Sequence, residues 1–424
     1  MLKKIYGDIK SFLLFFPRLS LLFEKTQNYL LRRRNNQVPH VASNELKRVA
    51  EVLVSPGWNM NYGKGLMHEK LEEEFAAYVG TNYAVAVNTG GMALQMSLRA
   101  LGVKPGDEVL HQVDTCMANP FAVMNAFATP ILTDISGDTF MMDFNDAEKS
   151  ISKNTKVIMP IHMWGNPCNM DKVQELADKH KLHVIEDSCL SLGAAWKGKK
   201  TGSMGNVGVF SLGCIKPIQA GEGGVITTND AALAKELRTL RSWGEMTAEY
   251  GVRDHKELAW NGRMSEIVAA VGLEQLRGYS AQLEKKMEAL ELFKSYLTQR
   301  EGIQIVDAGV NGVSSYGQVV LKLNAPALGL SKKELMHSMT ENGVIHWHAN
   351  FEPVNQLQFF TQGNWKKWIT AGDLQKAESN FTRKFSNSER VYAEEGLGLN
   401  NSHFLSKKEV NELILKMDKI LKKK

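Results

Sequence analysis

The sequence is short of cysteine. Cys116, Cys168, Cys189 and Cys214 are the only four, and no two of them stand in Cys-x-x-Cys spacing. A zinc ribbon or a redox dithiol needs that spacing, so neither is supported and no metal site is expected. Four scattered cysteines in 424 residues read as reduced thiols in a cytosolic compartment. The chain also lacks any run of about 20 apolar residues, so a membrane-spanning helix is not expected. It lacks the small-residue cleavage site of a secretory signal. Internal repeats and low-complexity segments are missing too. With 43% hydrophobic and 23% charged residues, disorder across the main body is not expected. The length suits one large domain with a smaller one.

A basic excess is absent once the charge is located. Residues 1–38 hold eight bases (Lys3, Lys4, Lys10, Arg18, Lys25, Arg32, Arg33, Arg34) against Asp8 and Glu24, which gives +6. The chain total is +5, so the other 386 residues sum to −1. A nucleic-acid function loses its main support. The same 38 residues carry an apolar run, Phe12–Phe16, broken by Pro17 and Arg18 and resumed at Leu19, Leu21, Leu22 and Phe23. Two readings stay open: a helical arm packed on this subunit or a neighbour, and an interfacial helix on an anionic membrane surface. The expected location is the cytoplasm, with a peripheral contact to the inner face of the membrane under the second reading.

The body reads as α/β. Ser43 and Glu45 followed by Leu46, Val49, Val52 and Leu53 predict a capped amphipathic helix, ended by Pro56-Gly57. A second helix is predicted over Met67–Val79. Strands are then predicted at Tyr83–Asn88, Glu108–Gln112, Pro130–Thr133, Val157–His162, His183–Glu186, Val207–Leu212 and Gly224–Thr228. Helices fall between them at Met92–Leu101, Pro120–Ala128 and Met170–His180, and more follow at 230–243 and about 264–298. Strands separated by helices of about ten residues imply right-handed crossovers and a mostly parallel sheet. Beyond about 300 the pattern loosens to Gly317–Leu323, Lys332–Asn342 and Lys407–Leu421, which reads as a smaller α+β domain. The expected division is 1–38 as an extension, 39–298 as the large domain and 299–424 as the small one.

Four segments carry chemistry. Asn88-Thr89-Gly90-Gly91-Met92 joins a strand to a helix, where small residues let backbone amides meet a phosphate; it also suits an ordinary turn. Val184-Ile185-Glu186-Asp187-Ser188 ends a strand in acid at the carboxyl edge of the sheet, where ligands of open α/β sheets bind; an acid capping the next loop fits as well. Phe210-Ser211-Leu212-Gly213-Cys214-Ile215-Lys216, followed by Gly221-Glu222-Gly223-Gly224, sets a lysine among apolar and small residues. Desolvation there favours the neutral, nucleophilic amine. Trp260-Asn261-Gly262-Arg263-Met264-Ser265-Glu266 opens a tightly packing helix; an anion site, a subunit contact and a plain Ser-capped start all fit.

Taken in this order and spacing, the segments resemble the sugar aminotransferases of the DegT/DnrJ/EryC1/StrS family, which are fold-type I pyridoxal-phosphate (PLP) enzymes. The resemblance runs from about Pro39 to near the C-terminus. It also rests on Gly106-Asp107-Glu108-Val109 and Pro160-Ile161-His162-Met163-Trp164-Gly165. It implies pyridoxal 5'-phosphate as cofactor, with Lys216 as Schiff-base lysine and proton shuttle. Asp187 would pair with the pyridinium nitrogen, which keeps the ring an electron sink. Ser211 and the Gly90-Gly91 backbone would bind the phosphate. Asn261 would reach the phosphate of the neighbouring subunit's cofactor, so a homodimer with shared sites is implied. The loop Gly221–Gly224 would shape the surroundings of the lysine.

The chain departs from the family at three positions. Cys116 stands where an aromatic residue commonly stacks on the ring, Leu190 where Gln or His is common, and Gly91 where Thr or Ser is frequent. Ring packing and one polar contact differ, while the bond-making residues remain. The implied reaction is transamination of a keto sugar, nucleotide-linked, with glutamate as amino donor, in polysaccharide or secondary-metabolite biosynthesis. A cyclitol or other ketone, or a non-catalytic protein on the same fold, stays open. The sugar-dehydratase branch carries His at the lysine position, and Lys216 argues against it.

Overall fold

The computed structural model describes residues 43–55, 65–247, 253–255, 257–349 and 352–421. The extension 1–38 lies outside the described residues, and so does the Pro56-Gly57 stop. The first helices are α1 (Ser43–Val54) and α2 (Leu66–Val79). The alternating region follows as β1 (Tyr83–Val87), α3 (Gly90–Ala100), β2 (Glu108–Gln112), α4 (Ala118–Asn125), β3 (Thr129–Thr133), β4 (Thr155–Ile158), α5 (Met170–His180), β5 (His183–Asp187), β6 (Val207–Ser211), β7 (Gly224–Thr228) and α6 (Ala231–Arg241). Helix α7 then runs for 32 residues, Glu266–Leu297.

The central sheet has seven strands in the order β1-β7-β6-β5-β4-β2-β3. Pairings β2/β3, β2/β4, β4/β5 and β5/β6 are parallel. Strand β7 runs against both its neighbours, β1 and β6. It returns from β6 through the lysine loop, which contains no helix to carry a parallel crossover.

Successive residues of each strand enter opposite faces. Val85, Val87, Val109, Val157, Ile185, Val207 and Val209 pack with α3, α4 and α6. Leu110, Ile158 and Val184 pack with α5 on the other face, while Ala84, Ala86, Phe210 and Val225 meet α2 and α7 there. Both faces are therefore covered, which is why these strands read as continuous apolar runs. Each Leu, Val or Phe so buried contributes roughly 1.5–3 kcal/mol.

The outer edge at β1 is closed by side chains and a loop. Ala86 N–H donates to Glu72 Oε1 at 2.9 Å, and Arg241 Nη1 donates to Ala86 O at 3.0 Å and to Glu72 Oε1 at 2.5 Å. Arg238 Nη2 donates to Ala84 O at 3.1 Å, and Asn88 N–H donates to Gly262 O at 2.8 Å. An otherwise open strand edge is thereby satisfied.

A second sheet, all antiparallel, has the order β8-β9-β11-β10 from β8 (Ile303–Ile305), β9 (Val319–Leu323), β10 (His346–His348) and β11 (Gly396–Leu399). Leu290, Phe293 and Leu297 of α7 share its core with the helices Lys332–Glu341 and Lys407–Leu421. The last turns of α7 thus pack with the C-terminal sheet. The segment between β10 and β11 sends Val354, Phe360, Phe381 and Phe385 to Val113 just past β2, Met124 of α4 and Leu132 of β3. Among the described residues no helix is long and apolar enough to cross a membrane.

Several element limits move from the sequence reading. The strand predicted over Val157–His162 is Thr155–Ile158; beyond it Pro160 has no N–H to donate, and Ile161 pairs with Asp187 only as an isolated bridge before the turn at Met163–Gly165. Helix α3 begins at Gly90, two residues before the expected Met92, since Thr89 caps it. The helix Phe144–Ser150, capped by Asp143, was not anticipated.

Candidate active site

The carboxyl ends of β1, β2, β5 and β6 converge where α3 and α4 begin, the usual ligand edge of an open α/β sheet. Thr89 caps α3: its hydroxyl accepts from Met92 N–H at 3.0 Å, and the first helical hydrogen bond runs from Ala93 N–H to Thr89 O at 3.0 Å. The amides of Gly90 and Gly91 lie ahead of that bond, at the positive end of the helix.

Ser211, the last residue of β6, faces this turn. A Cβ on Gly90 would lie 2.8 Å from Ser211 Cβ and 3.2 Å from its Oγ. A Cβ on Gly224 would lie 2.4 Å from Thr89 O. Only glycine fits at either position. A Cβ on Gly91 would meet nothing nearer than Thr89 Oγ1 at 3.9 Å, so the departure to glycine there is not forced by space.

Beyond Ser211 the chain turns. Lys216 N–H donates to Gly213 O at 3.1 Å, Ala220 N–H to Leu212 O at 2.9 Å and Leu212 N–H to Gly223 O at 2.9 Å. Gly221 takes a φ of +86°, which side-chain-bearing residues rarely adopt, and lets the loop return into β7. Lys216 is half-buried.

Asp187 ends β5 and is buried. Its Oδ1 accepts from Cys189 N–H at 3.1 Å and its Oδ2 from Asn119 Nδ2 at 2.7 Å. Burial pushes the Cys189 thiol well above its ordinary range; the Asp187 carboxylate adds to the push and the Lys216 ammonium opposes it, with Cys116 a further neighbour. Asp187, Lys216 and Cys116 therefore share the surroundings of one thiol. Cys116 itself is exposed, in the loop between β2 and α4. His111, wholly buried on β2, is pushed down to about 4 by burial, against its hydrogen bond to Gln112 O and the attraction of Asp187.

Leu190 does not line this group as a polar contact. It is buried in the apolar cluster with Trp164. Asn261 is exposed, its backbone joined to Ser242 in a bridge and to Asn88, whose Nδ2 donates to Asn261 O at 3.4 Å. The motif around it is anchored by Glu266, which accepts Met67 N–H at 2.7 Å and His68 Nδ1 at 2.8 Å and so ties α7 to the start of α2.

The sequence reading missed Asn119, Thr115, His111 and Cys189. Asn119 stands 68 positions from Asp187 with no motif linking the two; the alternation of β5 and the short helix after β2 could only have suggested the proximity.

The arrangement fits pyridoxal 5'-phosphate. A glycine-shaped cradle at a helix N-terminus suits a phosphate, a buried carboxylate suits a ring nitrogen, and a primary amine shares the surroundings of that carboxylate.

A model of the DegT/DnrJ/EryC1/StrS aminotransferase family matches residues 39–388. A GDP-perosamine synthase of Caulobacter vibrioides is 34% identical over 326 residues, covering 73% of this chain and 86% of that protein. Another of Escherichia coli O157:H7 is 32% identical over 336 residues, covering 79% and 89%. DesV of S. venezuelae, solved with a ketimine intermediate, superposes with a TM-score of 0.75 at 28% identity over 90% of this chain and 95% of that one.

Proposed function

Because the chain belongs to the DegT/DnrJ/EryC1/StrS aminotransferase family and is therefore a PLP-dependent enzyme, we propose that it aminates a nucleotide-linked keto sugar, with glutamate as donor. The observation that carries the substrate class is the pair of relatives named GDP-perosamine synthase, each matched over more than four fifths of its own length. The product would be an amino sugar for a polysaccharide or secondary metabolite.

When bound, the cofactor supplies an electron sink for the bond broken at the donor's Cα. Lys216 would hold it through Nζ and carry the proton between donor and cofactor. Asp187 would hold the ring nitrogen. Ser211 and the amides of Gly90 and Gly91 would bind the phosphate, and Cys116 would lie against the ring. Supporting these roles are the cradle at Gly90 and Gly224 and the shared surroundings of Asp187, Lys216 and Cys116.

The working unit in this proposal is a homodimer, with Asn261 reaching the phosphate held by the other subunit. The exposure of Asn261 on a chain edge otherwise closed supports it. Residues 39–298 would form the cofactor-binding part and 299–424 the smaller part. The +6 extension 1–38 would serve as a packing arm or a contact with an anionic membrane surface, outside the chemistry. Sedimentation with anionic vesicles at low salt, with and without residues 1–38, separates the two.

The test of substrate class is a panel of nucleotide-linked keto sugars with glutamate, read by 2-oxoglutarate release. Turnover of one or more is expected. Turnover confined to a cyclitol ketone, or none with any ketone, would overturn the assignment.

A further inference from the structure

The acid that would face the ring nitrogen does not stand alone. Asp187 is 6% exposed, and both its oxygens are engaged by neutral donors, Asn119 Nδ2 at 2.7 Å and Cys189 N–H at 3.1 Å. Asn119 lies on the first turn of α4 and is 1% exposed. Its amide has only one possible orientation. The Asp187 carboxylate only accepts, so the NH₂ end faces it, and the Oδ1 left on the other side accepts from Thr115 Oγ1 at 2.8 Å. The second reach of that nitrogen is Met159 Sδ, at 3.3 Å. Every polar atom of Asn119 is thus used, and the only charged partner among these contacts is Asp187.

A buried amide so constrained holds a carboxylate in one rotation. An apolar residue would leave Asp187 Oδ2 free to turn, or short of a donor in a dry site. Thr115 adjoins Cys116, so the same short loop that would pack on the ring also sets the amide. We propose that Asn119 is a positioning residue for Asp187, held in register by Thr115, and that it sets how the carboxylate meets the cofactor. The proposal rests on Asp187 being the partner of the ring nitrogen.

A double-mutant cycle in the full chain tests it, with Asn119→Leu, Asp187→Asn and the pair together. The readouts are the cofactor dissociation constant and the visible spectrum of bound cofactor as a function of pH. Asn119→Leu should weaken cofactor binding about tenfold, which is about 1.4 kcal/mol, and shift the spectral titration. In the Asp187→Asn background the same substitution should change binding less than about threefold. Thr115→Val, which leaves Asn119 in place, should reproduce the effect in part and serves if Asn119→Leu does not fold. Binding and spectrum like wild type in the single variants, or effects that multiply independently in the double variant, would overturn the proposal. If Asp187→Asn alone leaves both readouts unchanged, the failure lies with the site assignment instead.

Discussion

Glu186 and Asp187 are consecutive on one strand and serve opposite sides of the sheet. Asp187 lies on the α4 side, against Asn119. Glu186, fully buried, accepts from His162 Nε2 at 3.0 Å and from the amides of Gly202 at 2.8 Å, Met204 at 2.6 Å and Gly205 at 2.6 Å. His162 Nδ1 accepts from Cys168 N–H at 2.9 Å, which leaves Nε2 as the nitrogen that donates to Glu186. One acid organises the loop after Gly202; the other is left for the cofactor side.

Substitution should separate the two. Glu186→Ala strands several buried donors and should lower stability by about 3–5 kcal/mol, seen as an earlier denaturant midpoint. Asp187→Asn keeps the shape and should fold normally, yet slow proton abstraction from glutamate. Single-turnover rates within about tenfold of wild type, a loss near 1.4 kcal/mol at most, would remove Asp187 from its assigned role.

Lys216→Ala should abolish both transamination and the covalent attachment of cofactor, since the amine and the proton carrier vanish together. Borohydride reduction of the wild type followed by peptide mass spectrometry should find the label on Lys216. A label on any other lysine refutes the assignment.

The cradle distinguishes two adjacent glycines. Gly90→Ala puts a carbon 2.8 Å from Ser211 Cβ and should weaken cofactor binding tenfold or more, roughly 1.4 kcal/mol. Gly91→Ala adds a carbon whose nearest neighbour is Thr89 Oγ1 at 3.9 Å and should leave binding within about threefold. Equal losses in titrations of the two variants would place the phosphate elsewhere.

Asp114, just before the loop that carries Cys116, accepts the Ser388 hydroxyl and is pushed up to about 7 by burial, with Asp134 adding repulsion and Ser388 opposing. The native state keeps a proton there between about pH 4 and 7 that the unfolded chain releases. Stability contributed by this group is therefore present at low pH and lost as pH rises through that window. Asp114→Asn should raise the melting temperature at pH 8 by a few degrees and change little at pH 4. An equal shift at both values would show that Asp114 does not titrate in this range.

The legible part of the fold was the part set by local pattern. Met170–His180, Gly224–Thr228 and Lys407–Leu421 have the predicted limits, since each carries both its period and its end signals. The direction of β7 was not readable, because strand direction depends on the connection through Lys216 and not on composition. Ser211, Gly90 and Asp187 stood out through spacing, whereas Asn119 and His111 became neighbours of Asp187 only when three strands and a helix closed around it. Leu190 looked like a lost polar contact, and its burial with Trp164 shows a residue that serves the core.

The closed edge at β1 has a consequence for the order of synthesis. Tyr83–Val87 finds no partner strand until Gly224–Thr228 has been made, and the Glu72–Arg241 pair that seals it joins residues 169 positions apart. The first strand translated is among the last to be seated, and such non-local closure is slow. A fragment that stops short of Thr228 lacks the strand that joins β1 to β6, so no ladder links the elements that carry Gly90 and Ser211.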